Sequence, residues 1–218
     1  IYSSLLSHNG RLDDVMKKIR YDFQMLPKYS DKKPVIGIVG EIFVRCHNFS
    51  NEELIKKIES LGGEAWLAPF GEWIYYVNYL EMRRSLIKKD ISKMLGLRLK
   101  KLYQDRIEHK YSDYFKDMLR SIKEPSTEEI VKNASQYVHE SFEGETILSI
   151  GKAVDFIEKG VSGIINAMPF GCMPGTIVTA LMKAVSRDYN VPCISIPYDG
   201  TESLNIELQL EAFMESIK

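Results

Sequence analysis

Three thiols and a few charged groups in the loops are the side chains of this sequence best placed to do chemistry. Cys46, Cys172 and Cys193 are odd in number and widely spaced, which is not a disulfide framework and suits a reducing cytoplasm. Cys172 lies in Met168-Pro-Phe-Gly-Cys-Met-Pro-Gly-Thr176, between an apolar run and a segment whose Pro174 marks a helical first turn. A cysteine at that point faces a helix N-terminus, where the dipole and free N–H groups favour the thiolate. A thiolate is what a metal, an iron–sulfur cluster or a redox step requires; the alternative for Cys172 is a small packing residue. Cys193 sits inside an apolar run and reads as packing, whereas Cys46, between Arg45 and His47, reads as exposed. There is no C-x-x-C and no H-x-x-x-H, and His8, His47, His109 and His139 are far apart, so spacing alone defines no metal site.

Arg45, Glu72 and Asp199 are the charged candidates. Arg45 has the fork geometry to grip a carboxylate or phosphate, or else forms a salt bridge to Glu41 or to a helix acid. Glu72 stands in the aromatic segment Phe70-Gly-Glu-Trp-Ile-Tyr-Tyr76, which is better suited to packing an insertion onto a sheet than to holding a base or cofactor. Two phosphate-binding look-alikes fail. Gly151-Lys-Ala153 has Thr146 where a phosphate loop has its first Gly, and no strand precedes it. Gly37-Ile-Val-Gly40 lacks the third Gly of a dinucleotide fingerprint.

These groups must be positioned by a βαβ scaffold. Pro34–Gly40, Glu64–Pro69, Val161–Met168 and Pro192–Pro197 are short apolar runs with turn residues at their ends, which is how strands of a buried parallel sheet read. Helices are predicted over 11–26, from a Ser50–Glu53 capping box to Leu61, from a second box at Ser126–Glu129, over 145–158, from Pro174 to Arg187, and over 203–217. The fold class is therefore α/β: a Rossmann-like small parallel sheet of about four strands, helices on both faces, and a helical insertion after the second strand. The division is an N-terminal helix and linker over 1–33 and an α/β domain over 34–218, with the insertion at about 71–124. Ligands of such sheets bind at the carboxyl ends of the strands. The loops carrying Arg45, Glu72, Cys172 and Asp199 each follow a strand and should gather on one edge.

Composition bounds the rest. The 218 residues carry a net charge of −1, with 44% hydrophobic and 27% charged residues, the balance of a globular domain able to bury a core. Residues 81–110 hold ten Lys/Arg and four Asp/Glu, and alternate with Leu86, Ile87, Ile91, Met94 and Leu95. That pattern is an amphipathic helix with a solvated face; nucleic acid is not the expected partner. No stretch approaches the roughly 20 apolar residues of a spanning helix, so no membrane partner is expected. Because the sequence starts at Ile1 rather than Met, it reads as an ordered fragment, either of a longer chain or of one whose targeting segment has been removed.

Several long motifs are together similar to one family. They are Lys33-Pro-Val-Ile-Gly-Ile-Val-Gly-Glu-Ile-Phe-Val-Arg45, Glu64-Ala-Trp-Leu-Ala-Pro-Phe-Gly-Glu-Trp-Ile-Tyr-Tyr76, Ile165 through Ala180, Tyr198-Asp-Gly-Thr-Glu202 and Glu211-Ala-Phe213. From Pro34 onward the chain resembles the C-terminal region of CoA-substrate-specific enzyme activase-like proteins, relatives of the 2-hydroxyacyl-CoA (2-hydroxyglutaryl-CoA) dehydratase D-component. The resemblance implies an iron–sulfur protein of anaerobic, low-potential electron transfer. In that superfamily a four-iron four-sulfur (4Fe-4S) cluster is held by cysteines drawn from two Rossmann-like halves, and Cys172 occupies a matching position. Cys46 and Cys193 match no ligand position. The remaining thiolates are then expected in a preceding domain, and this chain alone is expected to be cluster-free and catalytically silent. The implied partners are that domain and a dehydratase or ATP-dependent activator module. Two other readings stand beside this one: a docking module using the basic insertion, and a small-molecule site built from Arg45, Glu72 and Asp199.

Overall fold

The computed structural model describes residues 12–27, 32–119, 121, 124–201 and 204–217. Most of the polar linker expected before Pro34, the start of the closing helix at Ser203, and His8 fall outside the described residues. The chain divides into two compact units, one of residues 32–76 and 125–218, the other of residues 1–31 and 77–124.

The first unit is built on four strands, β1 (Val35–Gly40), β2 (Glu64–Leu67), β3 (Gly163–Pro169) and β4 (Cys193–Tyr198). They lie in the order β2-β1-β3-β4 and every pairing is parallel. Ile36 registers with Ala65 on one side and Gly163 on the other, and Ile165 registers with Ile194. All six residues of β1 are buried, as its unbroken apolar run requires of a central strand covered on both faces.

Strand alternation sorts the side chains into two layers. Ile36, Ile38, Ile165, Ala167, Ile196 and Tyr198 point to one face, where α3 (Leu54–Ser60) and the closing helix α9 (Leu204–Ile217) supply Leu54, Ile58, Leu210 and Phe213. The opposite face is covered by α7 (Gly144–Glu158) and α8 (Met173–Tyr189). There Phe156 lies against Gly37, whose missing side chain makes room for the ring: a Cβ would fall 2.6 Å from Phe156 Cδ2. The same ring meets Trp66 of β2 at 4.8 Å between centroids. Outside this layer, α6 (Thr127–Ala134) packs on α7 so closely that a Cβ at Gly151 would be 2.1 Å from Ile130 O. Gly151-Lys-Ala153 is thus mid-helix packing, with the buried Lys152 ammonium 3.1 Å from Asp155 and 4.9 Å over the Phe156 ring.

Two local expectations need correction. The segment after β1 is not an open loop, because Ile42–Cys46 forms a short helix, α2. The Ser50–Glu53 capping box does not form. Ser50 Oγ is taken by His47 Nδ1 at 2.8 Å, Glu52 and Glu53 turn left-handed (φ 51° and 58°), and α3 starts only at Leu54. Asn51 organises this turn instead, donating to Val44 O and Arg45 O and accepting from Leu54 N–H. The box at Ser126–Glu129 forms in full, opening α6 with reciprocal bonds of 2.7 and 3.2 Å.

The second unit is helical. It contains α1 (Leu12–Gln24), most of α4 (Gly71–Ile87) and the 22-residue α5 (Ile91–Ser112), followed by a single 3-10 turn at Asp113–Phe115. Asp13 binds Lys110 at 2.7 Å and Tyr114 Oη at 3.1 Å, Arg20 binds Asp117, and Val15 is buried. Helices α4 and α5 form an antiparallel hairpin in which Lys93 meets Glu81, while Lys100 and Gln104 both meet Asn78. No residue of α5 is buried. Among the described residues, no helix is long and apolar enough to cross a membrane.

Candidate functional site

With all strands parallel, their four exits lie on one edge of the sheet. The chain leaves β1 toward β2 on one side and later returns to place β3 on the other. The β1/β3 exit is therefore the topological switch point, where open α/β sheets bind ligands. Arg45, Glu72, Cys172 and Asp199 all follow strand exits on this edge.

At the β1 exit, Gly40 has φ 116° and a Cβ there would lie 2.1 Å from Ala167 O, so only glycine fits. The next N–H, of Glu41, donates to that same carbonyl at 2.9 Å. The Glu41 carboxylate then caps α2, accepting from Phe43 N–H at 3.1 Å and Val44 N–H at 2.7 Å. The remaining N–H of this turn, of Ile42, donates to Glu145 at 3.2 Å, across from the first turn of α7. Burial raises the Glu145 pKa and nearby Glu41 adds to the rise, against the Ile42 N–H and Arg45, which lower it. Glu145 is a feature of the edge that sequence reasoning missed; nothing local marks it, because its partner lies on another element.

Arg45 points inward from α2. Its side chain is 1% exposed and donates to Gly40 O (3.2 Å), Pro69 O (3.4 Å) and Glu72 Oε1 (3.1 Å). Its Nε has no partner among the described residues. Of the two salt bridges open to Arg45 from sequence, the structure forms the one to a helix acid, since the Glu41 carboxylate is used in capping. The pair ties the exit of β1 to that of β2.

At the β3 exit, Cys172 is the N-cap residue of α8, but its side chain makes no capping bond. Its N–H donates to Pro169 O, and its carbonyl accepts from the N–H and the hydroxyl of Thr176. The thiol is partly exposed and stands beside N–H groups of the first helical turn that have no intrahelical acceptor. Phe170 N–H donates to Tyr198 O at 2.8 Å, joining this exit to that of β4. Asp199, on the β4 exit, accepts from the hydroxyl and N–H of Thr201, and these bonds lower its pKa. Cys193 begins β4 and so lies toward the opposite edge; burial pushes its thiol up to about 12. Cys46 ends α2 and is exposed.

Beneath Cys172 lies a second feature, a wholly buried amide. Asn166 donates to Ser195 Oγ at 3.0 Å on the α8 face, where Thr179 also reaches Ser195 and Gly175 O. A polar residue inside the apolar run Ile164-Ile-Asn-Ala167 is the signal that marks it in the sequence. Its Oδ1 has no donor among the described residues and sits 2.8 Å from where a Cβ on Gly40 would be. The cluster fixes α8, and with it Cys172, over β3.

The segments after the strands, and the turn just before α7, carry an apolar rim: Phe43, Phe49, Phe70, Phe142, Phe170 and Met173 are each more than half exposed. The described histidines make local contacts, His47 with Ser50 and Phe43, His109 with Asp105 O and His139 with Ser141. Among the described residues, no group of three His, Cys, Asp or Glu side chains is placed to hold a metal ion.

No family model matches the chain, and neither a curated protein nor a solved structure matches it.

Proposed function

We propose that this chain is the C-terminal half-module of an iron–sulfur protein connected with 2-hydroxyacyl-CoA dehydration, and that Cys172 is its ligand to the cluster. One observation carries the reading: a partly exposed thiol left free at the N-terminus of α8, on the ligand edge of a parallel sheet. The resemblance of the motif around Cys172 to the dehydratase-related family supports it, as does the apolar rim, which suits a face covered by another domain.

A four-iron cluster is generally held by four ligands, usually thiolates, and supplies one-electron transfer at low potential when bound. The described residues do not complete such a set. The fit is to one corner only, and the other thiolates belong in this proposal to a preceding domain docked on the rim. This chain's part is then to present one thiol. Asn166, Thr179 and Ser195 hold the helix that carries it, and the Arg45–Glu72 pair fixes the neighbouring exits.

The test is anaerobic reconstitution of the full-length protein beside its Cys172→Ser, Cys46→Ser and Cys193→Ser variants. Only Cys172→Ser should strongly reduce bound iron and the visible cluster absorbance. Full iron binding by Cys172→Ser, or its loss in Cys46→Ser, refutes the assignment.

A further inference from the structure

We propose that α5 is a membrane-surface helix that seats the helical unit on an anionic bilayer. This stands apart from the iron–sulfur reading and rests on a different part of the molecule. Ile91, Leu95, Leu99 and Leu102 are each more than half exposed, as are Leu86 and Ile87 just before the turn into α5. At 100° per residue the four α5 positions fall within an arc of about 80° and run about 17 Å along the axis. Lys93, Lys100 and Gln104, which bind α4, are centred roughly 160° away. The apolar row therefore faces away from α4.

The charge around the row selects its occupant. Lys88 and Lys89 at the turn, and Arg98 and Arg106 along the helix, are all exposed, within a segment holding ten basic and four acidic residues. Two copies of such a surface repel each other. A partner helix in a coiled coil would need an apolar seam of alternating three- and four-residue steps. Continued from Ile91 and Leu95, that seam meets Arg98 and Asp105. The row itself steps by four, four and three residues from Ile91 to Leu102 and ends before Arg106. An exposed apolar row within a basic segment suits the surface of a bilayer with anionic headgroups. Spanning a bilayer takes a long uncharged segment, but lying in its interface does not.

The experiment is flotation of the 218-residue chain with 100 nm vesicles of phosphatidylcholine and phosphatidylglycerol at 70:30, against phosphatidylcholine alone. Partitioning onto the mixed vesicles should exceed that onto the neutral ones by at least about tenfold, and should fall comparably between 0.05 and 0.5 M salt. Leu95→Glu/Leu99→Glu and Lys88→Glu/Arg98→Glu should each lose it while keeping the parent thermal midpoint, since these side chains are exposed. Absence of flotation on the mixed vesicles overturns the proposal. So does flotation that survives Leu95→Glu/Leu99→Glu. A dimer seen by light scattering that this double substitution dissolves, without vesicle binding, would assign the face to a second copy and equally overturn it.

Discussion

Removing the carboxylate of Glu72 is the most informative single perturbation of the edge. The Arg45 side chain is 1% exposed and that of Glu72 11%, so the pair is all but dry. Breaking a buried ion pair from one side costs about 3–5 kcal/mol, because the surviving charge is left uncompensated. Arg45 would keep its bonds to Gly40 O and Pro69 O, which places the expected loss for Glu72→Ala near the lower end, at about 3 kcal/mol. In a chain of this size that corresponds to roughly 6–12 °C in Tm. Arg45→Met should cost less, because Met keeps a nonpolar stem in the site and Glu72 is the more exposed partner, at the first turn of α4. The double variant should be more stable than the sum of the singles predicts, by about 1–2 kcal/mol. Calorimetry or urea unfolding of the four proteins measures this. A Glu72→Ala protein within about 1 kcal/mol of the parent, additive with Arg45→Met, would refute the reasoning and return Arg45 to the role of an anion grip.

Other expectations follow from the same geometry. Glu145→Gln should raise Tm at pH 7, with the gain fading toward pH 4. A carboxyl whose folded pKa is raised above the 4.5 of an ordinary Glu weakens the fold as pH climbs from 4.5 through the folded value, and the amide does not ionise. A gain that stays constant from pH 4 to 8 would contradict this. Gly151→Ala should destabilise by about 2 kcal/mol, because a backbone oxygen at 2.1 Å cannot rotate away, whereas Gly96→Ala, with open space, should stabilise by about 1 kcal/mol. Equal signs in urea titrations would deny the α6–α7 contact. Amides of α5, which has no buried residue, should exchange with deuterium faster than those of β3.

The four strands were legible because a buried parallel strand is written locally, as an apolar run between turn residues. Their common edge followed from βαβ connectivity alone. For Arg45 an anion grip, a salt bridge to Glu41 and one to an unnamed helix acid all stood open; naming Glu72 as that acid requires β1 and β2 side by side and Glu41 already spent on α2. Glu145 was invisible for a related reason: its acceptor role depends on Ile42, which is remote in sequence and reached only when α7 lies against the sheet. The capping box at Ser50 failed where an identical-looking one at Ser126 succeeded. The difference is competition, with His47 taking the hydroxyl and Asn51 the backbone groups, and no pattern of residue types ranks those bonds.

The β1–β3 pairing at the centre of the sheet also sets an order of events during synthesis. Strands β1 and β2 leave the ribosome with only the short α2 and α3 between them, while β3 follows about a hundred residues later, roughly 5–20 s at ordinary elongation rates. Through that interval β1 carries an open hydrogen-bonding edge, and Ile36 and Ile38 lack the cover that α9 brings last of all. The nascent chain thus displays a sticky two-stranded ribbon for much of its translation, and its yield in a cell depends on what shields that ribbon until β3 arrives.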